Sequence, residues 1–190
     1  MQGYVRDLDA LLLRHPSMPA LVEAVGARTR SLIAESSWLA PEFRAACDEN
    51  YARYLLYRDP KNRFVVLSLV WKPGQATPIH DHSCWGIMGM VQGSLEVVNY
   101  DRLDDGSEPN RARLREADTV MVEELDTGAV LPPWNEIHLI GNRSREVAIS
   151  LHIYGRDLDV FNVFDAVTGR VSPMRIKYYN VDRCTPDYVI

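Results

Sequence analysis

Histidine is scarce in this chain, with five residues in all, and three of them stand where a metal can be held. His80 and His82 lie in TPIHDHS. In an extended strand, residues i and i+2 project from the same face, so both imidazoles can point inward while Asp81 points away. His138, within PPWNEIHLIGN, falls on a later predicted strand and can supply a third nitrogen from across the interior. The pair alone also fits surface or packing histidines. A second group is Ser150, His152 and Tyr154, which alternate along one predicted strand and face the same way. Their bland reading is a strand whose polar residues satisfy one another. Arg53, in ARYLLY, is the candidate for binding a carboxylate, because a fixed guanidinium pairs with one bidentately. Alternation puts Arg53 on one face with Leu55 and Tyr57, and Tyr54 and Arg58 on the other. An exposed arginine at a strand start is the commoner fate of this residue type.

These side chains need a frame. Leu8, Leu11 and Leu12, then Leu21, Val22, Val25 and Leu32, recur at helical spacing, with Pro16 and Pro19 between them. A third helix is predicted to open at Pro41, where proline suits a first turn, and to run through EFRAACDEN. From about Tyr51 the pattern changes to short strand-like segments: ARYLLY, RFVVLSLVW, WGIMGMVQG, SLEVVNY, TVMVEE, AVLPP, EIHLIG, REVAISLHIY and VFNVF. DPKN, DDGSEPN, TGR and the Gly93–Ser94 pair supply the turns. Many short strands without helices between them predict an antiparallel barrel or sandwich. The expected organisation is one domain over 1–190, with a helical cap over 1–50, a β-barrel over 51–175 and a tail over 176–190.

Composition narrows the function classes. A formal charge of −5 gives no basic surface for nucleic acid. The longest apolar stretch, Phe64 to Trp71, is broken by Ser68 and is too short to span a membrane. The opening residues, MQGYVRDLDALLLRH, do not resemble a secretory signal. Cys47, Cys84 and Cys184 are odd in number and lack metal-binding spacing, so a reducing cytoplasm is the expected compartment. His15, between Arg14 and Pro16, reads as a loop residue with no site. Oligomeric state is not legible.

The histidine segments resemble the motifs of the cupin superfamily. Gly74, His80, His82 and Gly93 match the first motif, G-x5-H-x-H-x3-4-E-x6-G. Pro133, His138 and Asn142 match the second, with Asn135 where glycine is usual, a mild departure because asparagine tolerates left-handed backbone. The carboxylate that usually follows the histidine pair is missing, since Gly86 and Ile87 occupy its places. The resemblance implies a mostly β fold, a cupin double-stranded β-helix (jelly-roll barrel) with a small N-terminal helical cap. Its site would have three neutral ligands. Glu136 shares strand parity with His138 but stands in the turn where cupins carry Asp or Asn, which favours a structural role.

Within the cupins the chain resembles the cysteine dioxygenase family, from about Tyr51 to Met174. The phrases that carry the likeness are Tyr51-x-Arg53 followed by Leu55, Trp71 ahead of PGQATPIHDH, HDHSCWG, Ser150-x-His152-x-Tyr154 and FDAVTG. The resemblance implies Fe(II) on His80, His82 and His138, with positions left open for a thiolate and dioxygen. It implies that Ser150 orients His152, that His152 orients Tyr154, and that the phenol reaches the substrate. It places Arg53, Tyr51, Trp71 and Met174 around that substrate. Arginine at this place goes with cysteine in the family and glutamine with 3-mercaptopropionate, so L-cysteine is the leading substrate, with 3-mercaptopropionate or mercaptosuccinate as alternatives. The mammalian cysteine that crosslinks to the tyrosine is replaced by Gly86, as in bacterial members. Cys84, two residues earlier, reads as a small buried apolar residue. Three imidazoles also accept nickel or zinc. A cupin that binds metal without turnover is the competing class.

Overall fold

The computed structural model describes residues 1–14, 16–35, 37–133 and 136–182; His15, Asn135 and Cys184 lie outside the described residues. Helices α1 (Gln2–Leu13) and α2 (Met18–Ile33) form the cap. Pro19 sits in the first turn of α2, where its missing N–H breaks no helical bond. Tyr4 and Leu8 of α1 meet Leu21, Val22, Val25, Leu32 and Ile33 of α2 in one apolar cluster. Inside it the Tyr4 hydroxyl bonds Thr29 Oγ1 at 2.7 Å, and Thr29 Oγ1 donates on to the Val25 carbonyl at 2.8 Å.

The predicted third helix is corrected to a single 3-10 turn at Pro41–Arg44, after which Ala45 is extended. The carbonyls that a longer helix would need are taken by strand side chains. Ser68 Oγ donates to the Phe43 carbonyl at 3.0 Å and the Tyr54 hydroxyl to that of Ala45 at 2.7 Å.

Eleven strands follow among the described residues: β1 (Ala52–Arg58), β2 (Val65–Trp71), β3 (Ile79–His80), β4 (Gly86–Gln92), β5 (Leu95–Arg102), β6 (Leu114–Val122), β7 (Thr127–Val130), β8 (His138–Gly141), β9 (Ala148–Tyr154), β10 (Val160–Phe164) and β11 (Val171–Arg175). Two antiparallel sheets form, ordered β1-β2-β9-β4-β7 and β11-β10-β3-β8-β5-β6. The architecture is that of a cupin double-stranded β-helix. A short helix α3 (Tyr179–Asp182) lies against β1.

The five-stranded sheet is covered on both faces. Its outer side meets α1 and α2 through Val66, Ile87, Leu151 and Ile153. Its inner side faces the other sheet through Leu67, Leu69, Trp71, Met88 and Met90. Burial on both faces is why β2 reads VVLSLVW without alternation. Two strand assignments differ from the sequence reading. Strand β6 starts at Leu114 rather than Thr119, since it is mostly exposed and its first residues are too polar to read as strand. Strand β11 was not predicted because it contains Pro173. As the last strand of its sheet it loses no ladder bond on its free side. The two motif glycines, Gly74 and Gly93, have φ of +84° and +71°, which only glycine adopts without cost.

Candidate metal centre

Pairing of β3 with β8 sets His80 directly opposite His138, and His82 follows two residues on, just past the end of β3. The three rings form a near-equilateral triangle with centroid separations of 4.7, 4.9 and 4.7 Å. One nitrogen from each lies within 4.8 Å of the others, and all three residues are buried. Asp81 points the other way, accepting from the backbone N–H and side-chain amide of Asn162 at 2.9 and 2.8 Å. It thereby ties the histidine segment to β10.

Second bonds fix the rings. His80 Nδ1 donates to the Pro78 carbonyl at 3.0 Å and His82 Nδ1 to the Glu136 carbonyl at 3.2 Å. A carbonyl can only accept, so each Nδ1 carries the proton and each Nε2 keeps a lone pair for the interior. His138 Nε2 is buried with no hydrogen-bond partner, a costly state for a polar atom unless it serves a ligand. Burial holds all three imidazoles neutral. His82 is held down to about 4, while His80 and His138 are held well below the ordinary histidine value, with the neighbouring His82 adding to burial. Three neutral, convergent nitrogens, with the rings of His80 and His82 held from behind by backbone carbonyls, fit a divalent transition metal. Glu136 contributes its carbonyl, and its carboxylate lies outside the cluster.

The facing sheet presents a hydrogen-bonded line on β9. Trp71 Nε1 donates to Ser150 Oγ at 2.9 Å, Ser150 Oγ lies 2.9 Å from His152 Nε2, and His152 Nδ1 lies 3.0 Å from the Tyr154 hydroxyl. An indole N–H is only a donor, so the serine oxygen accepts there; the buried serine proton then needs an acceptor, and His152 Nε2 is the remaining partner beside it. His152 then donates from Nδ1 to the phenol oxygen, leaving the phenol proton for a group in the interior. Burial keeps His152 neutral, at about 3, and pushes the Tyr154 phenol up. The Tyr154 ring stacks on His82 at 5.3 Å. Gly86 pairs with Tyr154 across β4 and β9, and a Cβ there would come within 2.9 Å of the ring. Cys84 is half-buried beside Arg156, and burial raises its thiol pKa.

Arg53 is 6% exposed, far from a solvated surface arginine. Its Nη2 donates to the Tyr51 hydroxyl at 2.9 Å, and the Tyr51 ring stacks on Trp71 at 4.2 Å. Arg53 opens on a cavity of about 10 Å³ shared with His80, His82 and Tyr154. The expected face partner Tyr57 is not there. A bulge between Leu55 and Tyr57 turns Tyr57 toward the cap, where it meets Phe64 at 5.4 Å. Met174 is half-buried opposite Phe161 on β10 and lines neither cavity beside the histidines. Val65, Leu67, Leu158, Phe161, Ile176 and Tyr178 complete the Arg53 cavity, and none of them is a site candidate by sequence alone. The only signal for the last two was the alternation in RIKYY. This segment is anchored by Ile176 N–H to the Asp159 carbonyl at 3.0 Å, by the Tyr178 hydroxyl to Asp157, and by the Asn180 amide to both backbone groups of Leu55.

A barrel with three histidines converging inside it is a metal-binding cupin in form. A solved structure from Klebsiella pneumoniae subsp. pneumoniae MGH 78578, an uncharacterized conserved protein with a double-stranded beta-helix domain, shares this fold. Its TM-score is 0.52 at 16% identity, over 69% of this chain and 99% of that one. The family model "Cysteine dioxygenase type I" matches residues 28–167, and the chain belongs to that family, whose members are thiol dioxygenases. Cysteine dioxygenase type 1 of Rattus norvegicus and that of Homo sapiens are each 26% identical over 141 residues, covering 68% of this chain and 67% of theirs. The Danio rerio protein of the same name is 23% identical over 145 residues, with the same coverage.

Proposed function

We propose that the protein is an Fe(II)-dependent dioxygenase that converts a small carboxylated thiol, L-cysteine first, to its sulfinic acid. The observation that carries this reading is the buried Arg53, which shares one cavity with His80, His82 and Tyr154. Fe(II) would be held by His80, His82 and His138 and would supply binding of the thiolate and activation of dioxygen, the anionic thiolate bringing the charge that no protein carboxylate provides. Arg53 pairs with the substrate carboxylate and is held in place by Tyr51. Tyr154, oriented through His152, Ser150 and Trp71, directs its phenol proton toward the bound substrate. Both oxygen atoms end on sulfur, which gives up four electrons to dioxygen, so no outside reductant is needed. The free thiols of Cys47 and Cys84 suit a reducing cytoplasm.

The test is to strip the protein of metal, reload it anaerobically with Fe(II), and follow oxygen uptake and sulfinate formation. The panel is cysteine, 3-mercaptopropionate, mercaptosuccinate and cysteamine. Cysteine should give the highest kcat/KM and cysteamine, which has no carboxylate, the lowest. Equal values for cysteine and cysteamine would remove the carboxylate clamp. Reloading with zinc or nickel should give no comparable uptake, and activity with either would displace iron from the reading.

A further inference from the structure

The two sheets of the barrel meet at two seams. On one side β1 and β11 are the terminal strands, and the Arg53 cavity there is narrowed to about 10 Å³ by Phe161, Ile176 and Tyr178. On the other side β6 and β7 are the terminal strands. Between them lies a cavity of about 200 Å³ whose walls include Met88, Val97, Val122, Val130 and Ile140. It reaches His82, His138, His152 and Tyr154 at its inner end. Val120, which lines it on β6, is 44% exposed, so the cavity leads to the surface. His82 and Tyr154 border both cavities, and the metal centre therefore lies between an arginine-bearing pocket and an apolar seam.

A dioxygenase must admit two reactants of opposite character. A carboxylated thiol is charged and gains nothing from a wall of valines, where its carboxylate would lose water without a partner. Dioxygen is small and apolar and is favoured by such a wall. Apolar cavities of roughly this size, on the order of 150 Å³, accept xenon. We propose that the β6/β7 seam is the dioxygen site, taking the gas from solvent and presenting it to the metal centre, while the thiol is held on the Arg53 side. This rests on the thiol dioxygenase reading above and adds a second, separate binding region to it.

Gly128 gives the test its handle. It lines the seam on β7, and a Cβ there would meet only Met88 Cε, at 4.0 Å, so Gly128→Leu grows into the cavity without displacing backbone. Val120→Trp closes the outer end from an exposed strand. Both variants should keep wild-type iron content and thiol KM, while kcat/KM for oxygen at saturating thiol falls about tenfold. Crystals of the metal-free wild-type protein under xenon pressure should hold xenon between Val122 and Ile140, and Gly128→Leu crystals should not. An unchanged oxygen dependence in both variants, or xenon absent from the wild-type seam, overturns the assignment. So does a raised thiol KM with oxygen dependence intact, which would make the seam a pocket for a substrate side chain. Failure of every thiol to trigger uptake by the iron-loaded wild type would instead defeat the dioxygenase reading itself, and this inference with it.

Discussion

The two sheets divide the labour of the site, and their surroundings differ to match. The six-stranded sheet contributes His80 on β3 and His138 on β8, with His82 just beyond. Its outer face carries one small apolar cluster, around Ile137, Phe164 and Val171, and seven of the nine residues of β6 are exposed. The five-stranded sheet lies under the helical cap, all seven residues of β2 are buried, and it contributes Arg53, Trp71, Ser150, His152 and Tyr154. Polar groups are costly in such a doubly covered sheet unless they bond one another. The Trp71–Ser150–His152–Tyr154 line satisfies that demand and leaves one proton pointing inward. The difference teaches that the proposed ligands and the proposed substrate contacts are separable. Changes in the six-stranded sheet should remove the metal, whereas changes in the five-stranded sheet should leave the metal and alter turnover.

The largest effect is expected from His138→Ala. It removes one of three nitrogens, and His80 and His82, from a single segment, leave too few protein ligands. Iron and turnover should be lost together, measured by metal analysis and oxygen uptake. Near-stoichiometric iron in this variant would take His138 out of the site and end the division between the sheets.

Arg53→Ala comes next and tests the opposite sheet. Losing a buried charge-assisted contact costs about 2–4 kcal/mol, roughly thirty- to a thousandfold in kcat/KM. The loss should fall on cysteine and 3-mercaptopropionate and spare cysteamine, with iron content unchanged. Arg53→Gln should lose less for 3-mercaptopropionate than for cysteine. An equal loss on all three thiols would assign Arg53 to the fold.

Tyr154→Phe deletes one hydroxyl and no ligand. A hydrogen bond to a charged partner contributes about 1.5–3 kcal/mol, so turnover should fall roughly ten- to a hundredfold with iron retained. Unchanged turnover would show that the phenol takes no part in the reaction.

The sequence revealed the elements whose spacing is rigid. A strand period of two placed His80 with His82 and Ser150 with His152 and Tyr154, and glycines requiring positive φ marked the motif that contains the histidine pair. What it did not reveal depends on contacts between distant segments. The helix expected after Pro41 ends early because Ser68 and Tyr54 claim its carbonyls. Tyr57 leaves the Arg53 face because of a bulge that alternation does not encode. Ile176 and Tyr178 reach the cavity only because the chain after β11 folds back across β1. Strand β11 itself was hidden by Pro173, which is harmful in a central strand and harmless at this edge.

The smallest effect belongs to Trp71, which joins both functions of the five-stranded sheet. Its ring stacks on Tyr51, the residue that holds Arg53, and its N–H donates to Ser150. Trp71→Phe keeps an aromatic face for Tyr51 and removes the donor together with part of a fully buried ring. Without that N–H, donating to His152 Nε2 and accepting from it each leave Ser150 with one bond made, and the polarity of the line is no longer fixed. A neutral hydrogen bond is worth about 0.5–1.5 kcal/mol net, so turnover should fall roughly two- to tenfold, less than for Tyr154→Phe. Nitrogen NMR of His152 separates this from simple loss of packing. In the wild type Nδ1 should carry the proton and Nε2 should be bare, whereas the variant should show both tautomers. A bare Nδ1 in the wild type would mean that the phenol donates to His152, and the proton assigned to the substrate would be pointing into the sheet.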